Sequence, residues 1–173
     1  MATVELSRNY DAVIDIHGSI ANCGVVTIVP YPTLKNMALA KSIPLERTVI
    51  WYSKRSSANG PLAQHTFCPA IEIECGSKDN PNIAGELKEC IGRILAANAS
   101  GSRLVFEQEY YFVYGSQKGT SRTVIRDFQE VTLDDETFYP FLSAQQYEGI
   151  LCYKMKKLAP GDVITETFEY NGT

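Results

Sequence analysis

Two short stretches constrain this chain more than any others: Val13-Ile14-Asp15-Ile16-His17-Gly18 and Pro69-Ala70-Ile71-Glu72-Ile73-Glu74-Cys75-Gly76. Each is a β-branched run that ends at a glycine and carries ionisable residues two apart. Side chains alternate along a strand, so Asp15 and His17 share one face of the first, and Glu72 and Glu74 share one face of the second. A strand buried on both faces reads as unbroken Val and Ile. Acids and an imidazole in such strands are costly unless they are paired or hold something. The carboxyl ends of strands in open α/β sheets are also where ligands sit. These two strand ends are therefore the candidate site.

The rest of the chain arranges itself around them. Tyr10 to Ile16 reads as a strand, Gly18 to Cys23 as a loop, and Gly24 to Val29 as a second strand closed by Pro30 and Pro32. Thr33 is placed to cap a helix running to about Ile43, which Pro44 ends. Arg47 to Ser53 reads as a third strand, followed by a polar stretch from Lys54 to Gln64 and then the Glu72/Glu74 strand. A helix starts near Asn80-Pro81, with Ile83, Leu87, Cys90, Ile91, Ile94 and Leu95 forming one apolar stripe. This β-β-α-β-β-α order predicts an α/β sheet covered by helices over residues 1–98. Asn98 to Ser102 reads as a linker. Beyond it, Arg103 to Tyr114, Thr123 to Glu130, Gly149 to Leu158 and Val163 to Tyr170 predict a small, mostly antiparallel β domain over 103–173.

Composition excludes several classes. The chain has 173 residues, a net charge of −4 and 45% apolar residues, enough for a real core but without a basic footprint for nucleic acid or a polybasic membrane patch. No apolar run has the length to span a bilayer, and the first residues lack a signal-peptide pattern. Five cysteines, an odd number with no CxxC, point to reduced thiols and a cytoplasmic protein. No GxGxxG, P-loop or GxSxG occurs.

Each candidate residue has a plain alternative. His17 alone is more often a hydrogen-bonded structural residue than a ligand, but Asp15 two positions before it is placed as a carboxylate that orients an imidazole. Glu74 is a general base or metal ligand, or else a strand-end carboxylate capping a loop. Glu72 lies on the same face, and two close carboxylates raise the pKa of one, which suits a base at neutral pH. His65 sits in a loop, and with Cys68 it is only a two-ligand fragment. Lys54 and Arg55 either hold a carboxylate substrate or form a solvated loop.

These residues resemble a family. Asp11 to Gly24, DAVIDIHGSIANCG, is similar to the second zinc motif of the succinylglutamate desuccinylase/aspartoacylase group of zinc carboxypeptidase-like proteins: an apolar strand ending in Asp-Leu-His, then Asn-x-Gly. Pro69 to Gly76 resembles that group's catalytic strand, which ends in Ile-Glu-Val-Gly, and Phe138 to Gly149 resembles a stretch of its C-terminal β domain. The resemblance implies a partial carboxypeptidase-like mixed sheet with helices and a small-molecule N-acyl amino acid substrate. It implies zinc held by His17, with Asp15 beside it and Glu74 as general base on zinc-bound water. Asn22 matches the loop asparagine, and Tyr147 lies near a substrate-contacting tyrosine.

The family's zinc site also needs an HxxE motif, and this chain has only His17 and His65, neither in that pattern. Catalytic zinc takes three protein ligands. The expectation is accordingly a C-terminal portion of a deacylase, inactive alone, whose missing first strands leave an open sheet edge for a homo-oligomer to cover. Two alternatives stand beside it. One is a metal-free binding or assembly protein derived from the family. The other is an unrelated ligand-binding module, which a wide separation of His17 and Glu74 would favour.

Overall fold

The computed structural model describes residues 5, 7–52, 62–100, 105–119, 125–143 and 149–163. Arg55 and Tyr147 lie outside the described residues, as does most of the expected strand from Val163 to Tyr170. Eight strands form one sheet in the order β1-β4-β2-β3-β5-β8-β7-β6. They are β1 (Val13–Ser19), β2 (Val26–Val29), β3 (Arg47–Ile50), β4 (Ala70–Ser77), β5 (Glu109–Lys118), β6 (Val131–Leu133), β7 (Glu136–Phe141) and β8 (Ile150–Leu158). Pairing is parallel for β1–β4, β2–β3 and β3–β5 and antiparallel for β4–β2, β5–β8, β8–β7 and β7–β6. The mixed α/β sheet expected from the strand and helix order is the observed fold.

Two helices, α1 (Leu34–Ala40) and α2 (Ile83–Ser100), cover one face. Thr33 caps α1 as expected, its Oγ1 accepting the Asn36 N–H at 3.2 Å. Alternation along β4 sends Ile71, Ile73 and Cys75 to the helix side, where they pack with Val29, Ala40, Ile43 and Cys90. Val26 and Ile28 stand opposite Glu74 and Glu72 in the antiparallel ladder, so those carboxylates point to the other face. That face is filled farther along by Val26, Ile28, Val49, Tyr111, Val113, Phe141 and Met155. Trp51 and Tyr153, with ring centroids 4.4 Å apart, extend this second core.

Several expectations need correction. Helix α2 runs through Ser100, so Asn98 to Ser102 is not a linker from its first residue. Alanines at 96, 97 and 99 favour helix, and the Ser100 hydroxyl donates back to the Ala97 carbonyl at 2.9 Å. Residues 125–130 form a turn rather than a strand, with Phe128 at φ +62°. The strand from Arg103 begins only at Glu109 among the described residues, and Val163 lies in a helical turn. The β6–β7 hairpin was not expected. Asp134 and Asp135, at φ +51° and +64°, make its two-residue turn with the twist that hairpins favour. Because β5 pairs with β3, the sheet runs continuously through both parts of the chain.

Candidate active site

The site is assembled by the parallel register of β1 against β4. Asp15 lies beside Glu72 and His17 beside Glu74, all four on the face away from the helices. Neighbouring strands are about 4.8 Å apart, so His17 and Glu74 are close and the unrelated-module reading loses its footing. His17 Nε2 and Asp15 Oδ2 are 3.0 Å apart, so the two residues do touch. Ligand atoms of Asp15, His17 and Glu72 all lie within 4.8 Å of one another.

Burial divides the carboxylates. Glu74 is 5% exposed, and its Oε1 accepts the Gly76 N–H at 2.7 Å. Its Oε2 has no hydrogen-bond partner among the described residues. Glu72 has its carboxyl pKa raised, first by burial; His17 opposes this, and Asp15 and Glu74 add to it. The carboxylate pair thus has one raised member, and it is Glu72.

The strand ends close on backbone. Gly76 sits at φ +67°, and a Cβ there would lie 3.0 Å from the Ala21 carbonyl oxygen and 3.3 Å from that of Gly24. Only glycine lets the loop of residues 20–25 cross β4 at this distance. The Ser19 hydroxyl accepts the Ala21 N–H at 3.3 Å and starts that loop. Asn22 is exposed on that loop. His65 is exposed, and no described metal-ligating group includes it.

Asp127 is a residue the sequence did not single out. Its Oδ1 accepts the Ser143 N–H at 2.8 Å, its Oδ2 is buried without a hydrogen-bond partner, and burial raises its carboxyl pKa. The Cys23 thiol has its pKa pushed well up, first by burial and then by the charges of Glu74 and Asp127. Nothing in the sequence flagged Asp127, because its neighbours read as a strand.

Two cavities open elsewhere. One of about 360 Å³ is lined by Cys23, Glu46, Arg47, Glu89, Cys90 and Arg93. Another, of about 760 Å³, involves Lys41, Arg47, Phe106, Gln108, Tyr110 and Pro160. Neither is lined by the four strand-end residues. No helix among the described residues is long and apolar enough to cross a membrane.

By sequence, no family model and no curated protein matches the chain. Solved structures do match its fold. Murine aminoacylase 3 aligns with a TM-score of 0.65 at 17% identity, over 86% of this chain and 63% of that one. A mutant of the same murine protein aligns at 0.64. The succinylglutamate desuccinylase from Chromobacterium violaceum aligns at 0.58 and 11% identity, over 91% of this chain and 60% of that one. The chain therefore has the fold of these acylase and desuccinylase structures and spans less than two thirds of their length.

Proposed function

We propose, from the fold shared with aminoacylase 3 and succinylglutamate desuccinylase, that this chain is the C-terminal part of a zinc-dependent hydrolase of N-acyl amino acids. The observation that carries the reading is the side-by-side seating of Asp15–His17 and Glu72–Glu74 at two parallel strand ends.

One imidazole and two carboxylates lie within 4.8 Å of one another, whereas catalytic zinc sets such as two histidines and a glutamate need a second imidazole, which would come from outside these residues. His17, Glu72 and Asp15 would hold the metal, or Asp15 would instead orient the imidazole at Nε2, 3.0 Å away, and leave the metal two donors from this chain. Bound there, zinc supplies a Lewis acid and an acidified water. Glu74 is the proton acceptor: the Gly76 amide fixes Oε1, and Oε2 is left to take the proton. Asn22, Arg55 and Tyr147 are assigned to the substrate's carboxylate and acyl group. With one imidazole and no HxxE, the 173-residue chain is expected to turn over no substrate alone. The five unpaired thiols support a cytoplasmic setting.

The test is the intact mass of the protein in its native cells, followed by zinc content and hydrolysis of N-acyl amino acids by the purified native form. A mass well above that of 173 residues, with bound zinc and turnover, supports the reading. A 173-residue protein without either sinks it. The second reading, a metal-free binding or assembly protein, then takes over; the single imidazole of the described Asp15–His17–Glu72 group is what favours it.

A further inference from the structure

A buried carboxylate closes the part of the chain between residues 125 and 143, and three hydrogen bonds join its two ends. Phe128 donates its N–H to the Pro140 carbonyl at 3.0 Å, Ser143 donates its N–H to Asp127 Oδ1 at 2.8 Å, and the Ser143 hydroxyl donates to the Ile125 carbonyl at 3.4 Å. The closure is costly for the backbone. Phe128 and Leu142, neither of them glycine, sit at φ +62° and +51°, a conformation that persists only where the surroundings enforce it. The Phe128 ring contributes, packing edge-on against Tyr111 at 5.0 Å and tilted against Phe141 at 5.6 Å. Asp127 Oδ2 is buried with no hydrogen-bond partner.

The surroundings of Asp127 offer hydrogen bonds but no countercharge. Among the described residues, two thiols respond to its charge, Cys23 of the loop after β1 and Cys152 of β8, and burial keeps both neutral. The Arg47 guanidinium of β3 lies over the Phe128 ring, 4.9 Å from its centroid, and Arg126 of the turn itself is exposed. Only hydrogen bonds from Leu142 and Ser143 favour the charged carboxylate, and burial outweighs them.

We infer that Asp127 is a pH-sensitive latch: neutral, it holds the end of β7 against the turn of residues 125–130, and ionised, it lets the two part. Phe141 and Leu142 belong to the buried core that also contains Ala21 and Cys23. Parting therefore loosens the loop that crosses β4 at Gly76, whose amide Glu74 holds. The latch is independent of the hydrolase reading, since neither metal nor substrate takes part. A carboxyl whose folded pKa lies above its unfolded value stabilises the closed form below the unfolded value and loses that contribution as pH rises through the folded one. Each unit between the two values makes opening about tenfold more frequent once the acid is ionised.

NMR on the 173-residue chain reads the latch at one amide. As pH rises, Ser143 N–H exchange should accelerate beyond the rise that hydroxide alone causes. That acceleration should track ionisation of the Asp127 side chain, above the ordinary aspartate value of about 3.9. Asp127→Asn keeps an acceptor at Oδ1 and cannot ionise, so its Ser143 exchange should follow hydroxide alone. Asp127→Ala should leave Ser143 unprotected at every pH. If neither variant folds, the wild-type titration still decides. An Asp127 carboxyl that titrates in the ordinary range, or wild-type Ser143 exchange that follows hydroxide alone, overturns the proposal. So does an acceleration that survives in folded Asp127→Asn, or a Ser143 amide still protected in folded Asp127→Ala.

Discussion

Asn36 ties the start of the catalytic-candidate strand β4 to the helix layer, and removing its amide tests whether that tie sets the site. The residue is 4% exposed. Its Nδ2 donates to the Tyr31 carbonyl at 2.7 Å, and its Oδ1 accepts the Ala70 N–H at 2.9 Å. In Asn36→Ala the two partners fare differently. The Tyr31 carbonyl keeps a second donor, the Thr33 N–H at 2.8 Å, so losing Nδ2 there removes one ordinary bond of about 0.5–1.5 kcal/mol. The Ala70 N–H, in a residue 1% exposed, has no other partner among the described residues and is orphaned, at about 1–3 kcal/mol. The sum is about 1.5–4.5 kcal/mol, a large share of the 5–15 kcal/mol typical of a domain. Urea unfolding at unchanged m-value measures it. Asn36→Asp separates the two bonds. It keeps an acceptor for Ala70 but sets a carboxylate oxygen against the Tyr31 carbonyl. Burial beside that carbonyl favours the neutral acid in the fold, so the variant should be weak at pH 7, where the unfolded carboxylate is ionised, and regain stability as pH falls. A loss below about 0.5 kcal/mol in Asn36→Ala, or a pH-independent Asn36→Asp, would refute this account of what seats β4.

Other perturbations reach the site directly. Glu72 has a raised carboxyl pKa in the fold, so its neutral form is favoured there; stability tied to it is present below its unfolded pKa and is lost as pH rises through the folded one. Glu72→Gln should therefore flatten the stability–pH curve by stabilising the fold at the high end of that window and not at the low end, and equal melting shifts at both ends would count against it. Gly76→Ala puts a Cβ 3.0 Å from the Ala21 carbonyl at a left-handed φ, and should cost at least about 1–2 kcal/mol of unfolding free energy; a neutral effect would mean the loop can yield. In the zinc-loaded native protein, Glu74→Gln should retain metal and lose at least about 100-fold in turnover, and His17→Ala should lose metal by titration calorimetry. Metal loss in the first or retention in the second would reverse their assigned roles.

Legibility in the sequence followed the strength of local signals. The two strand ends were readable because a charged pair at period two inside β-branched runs has few other meanings, and the parallel register of β1 and β4 brought all four residues together. Helix α1 was readable because Thr33 and Pro44 bracket it. The β6–β7 hairpin was missed because its turn, Asp134-Asp135, lacks the glycine that normally marks two consecutive left-handed residues. Asp127 was missed because its role depends on Ser143, sixteen residues away, and no local pattern encodes that bond. Residues 54–61, with Lys54 and Arg55, and Tyr147 lie outside what the structure describes.

The site's remaining tension lies in its charge. Three carboxylates, Asp15, Glu72 and Glu74, share a sheet face with one imidazole, and the fold answers each differently. Asp15 takes the imidazole at 3.0 Å, Glu74 takes the Gly76 amide at 2.7 Å, and Glu72 takes neither and has its pKa raised instead. A group left so, beside two satisfied acids and within 4.8 Å of His17, is placed to receive a positive charge from outside the chain. A zinc ion would supply that charge in the hydrolase reading. Metal binding should then lower the Glu72 pKa, and carboxylate titration by NMR with and without zinc checks it; a Glu72 carboxyl that titrates alike in both would count against the reading.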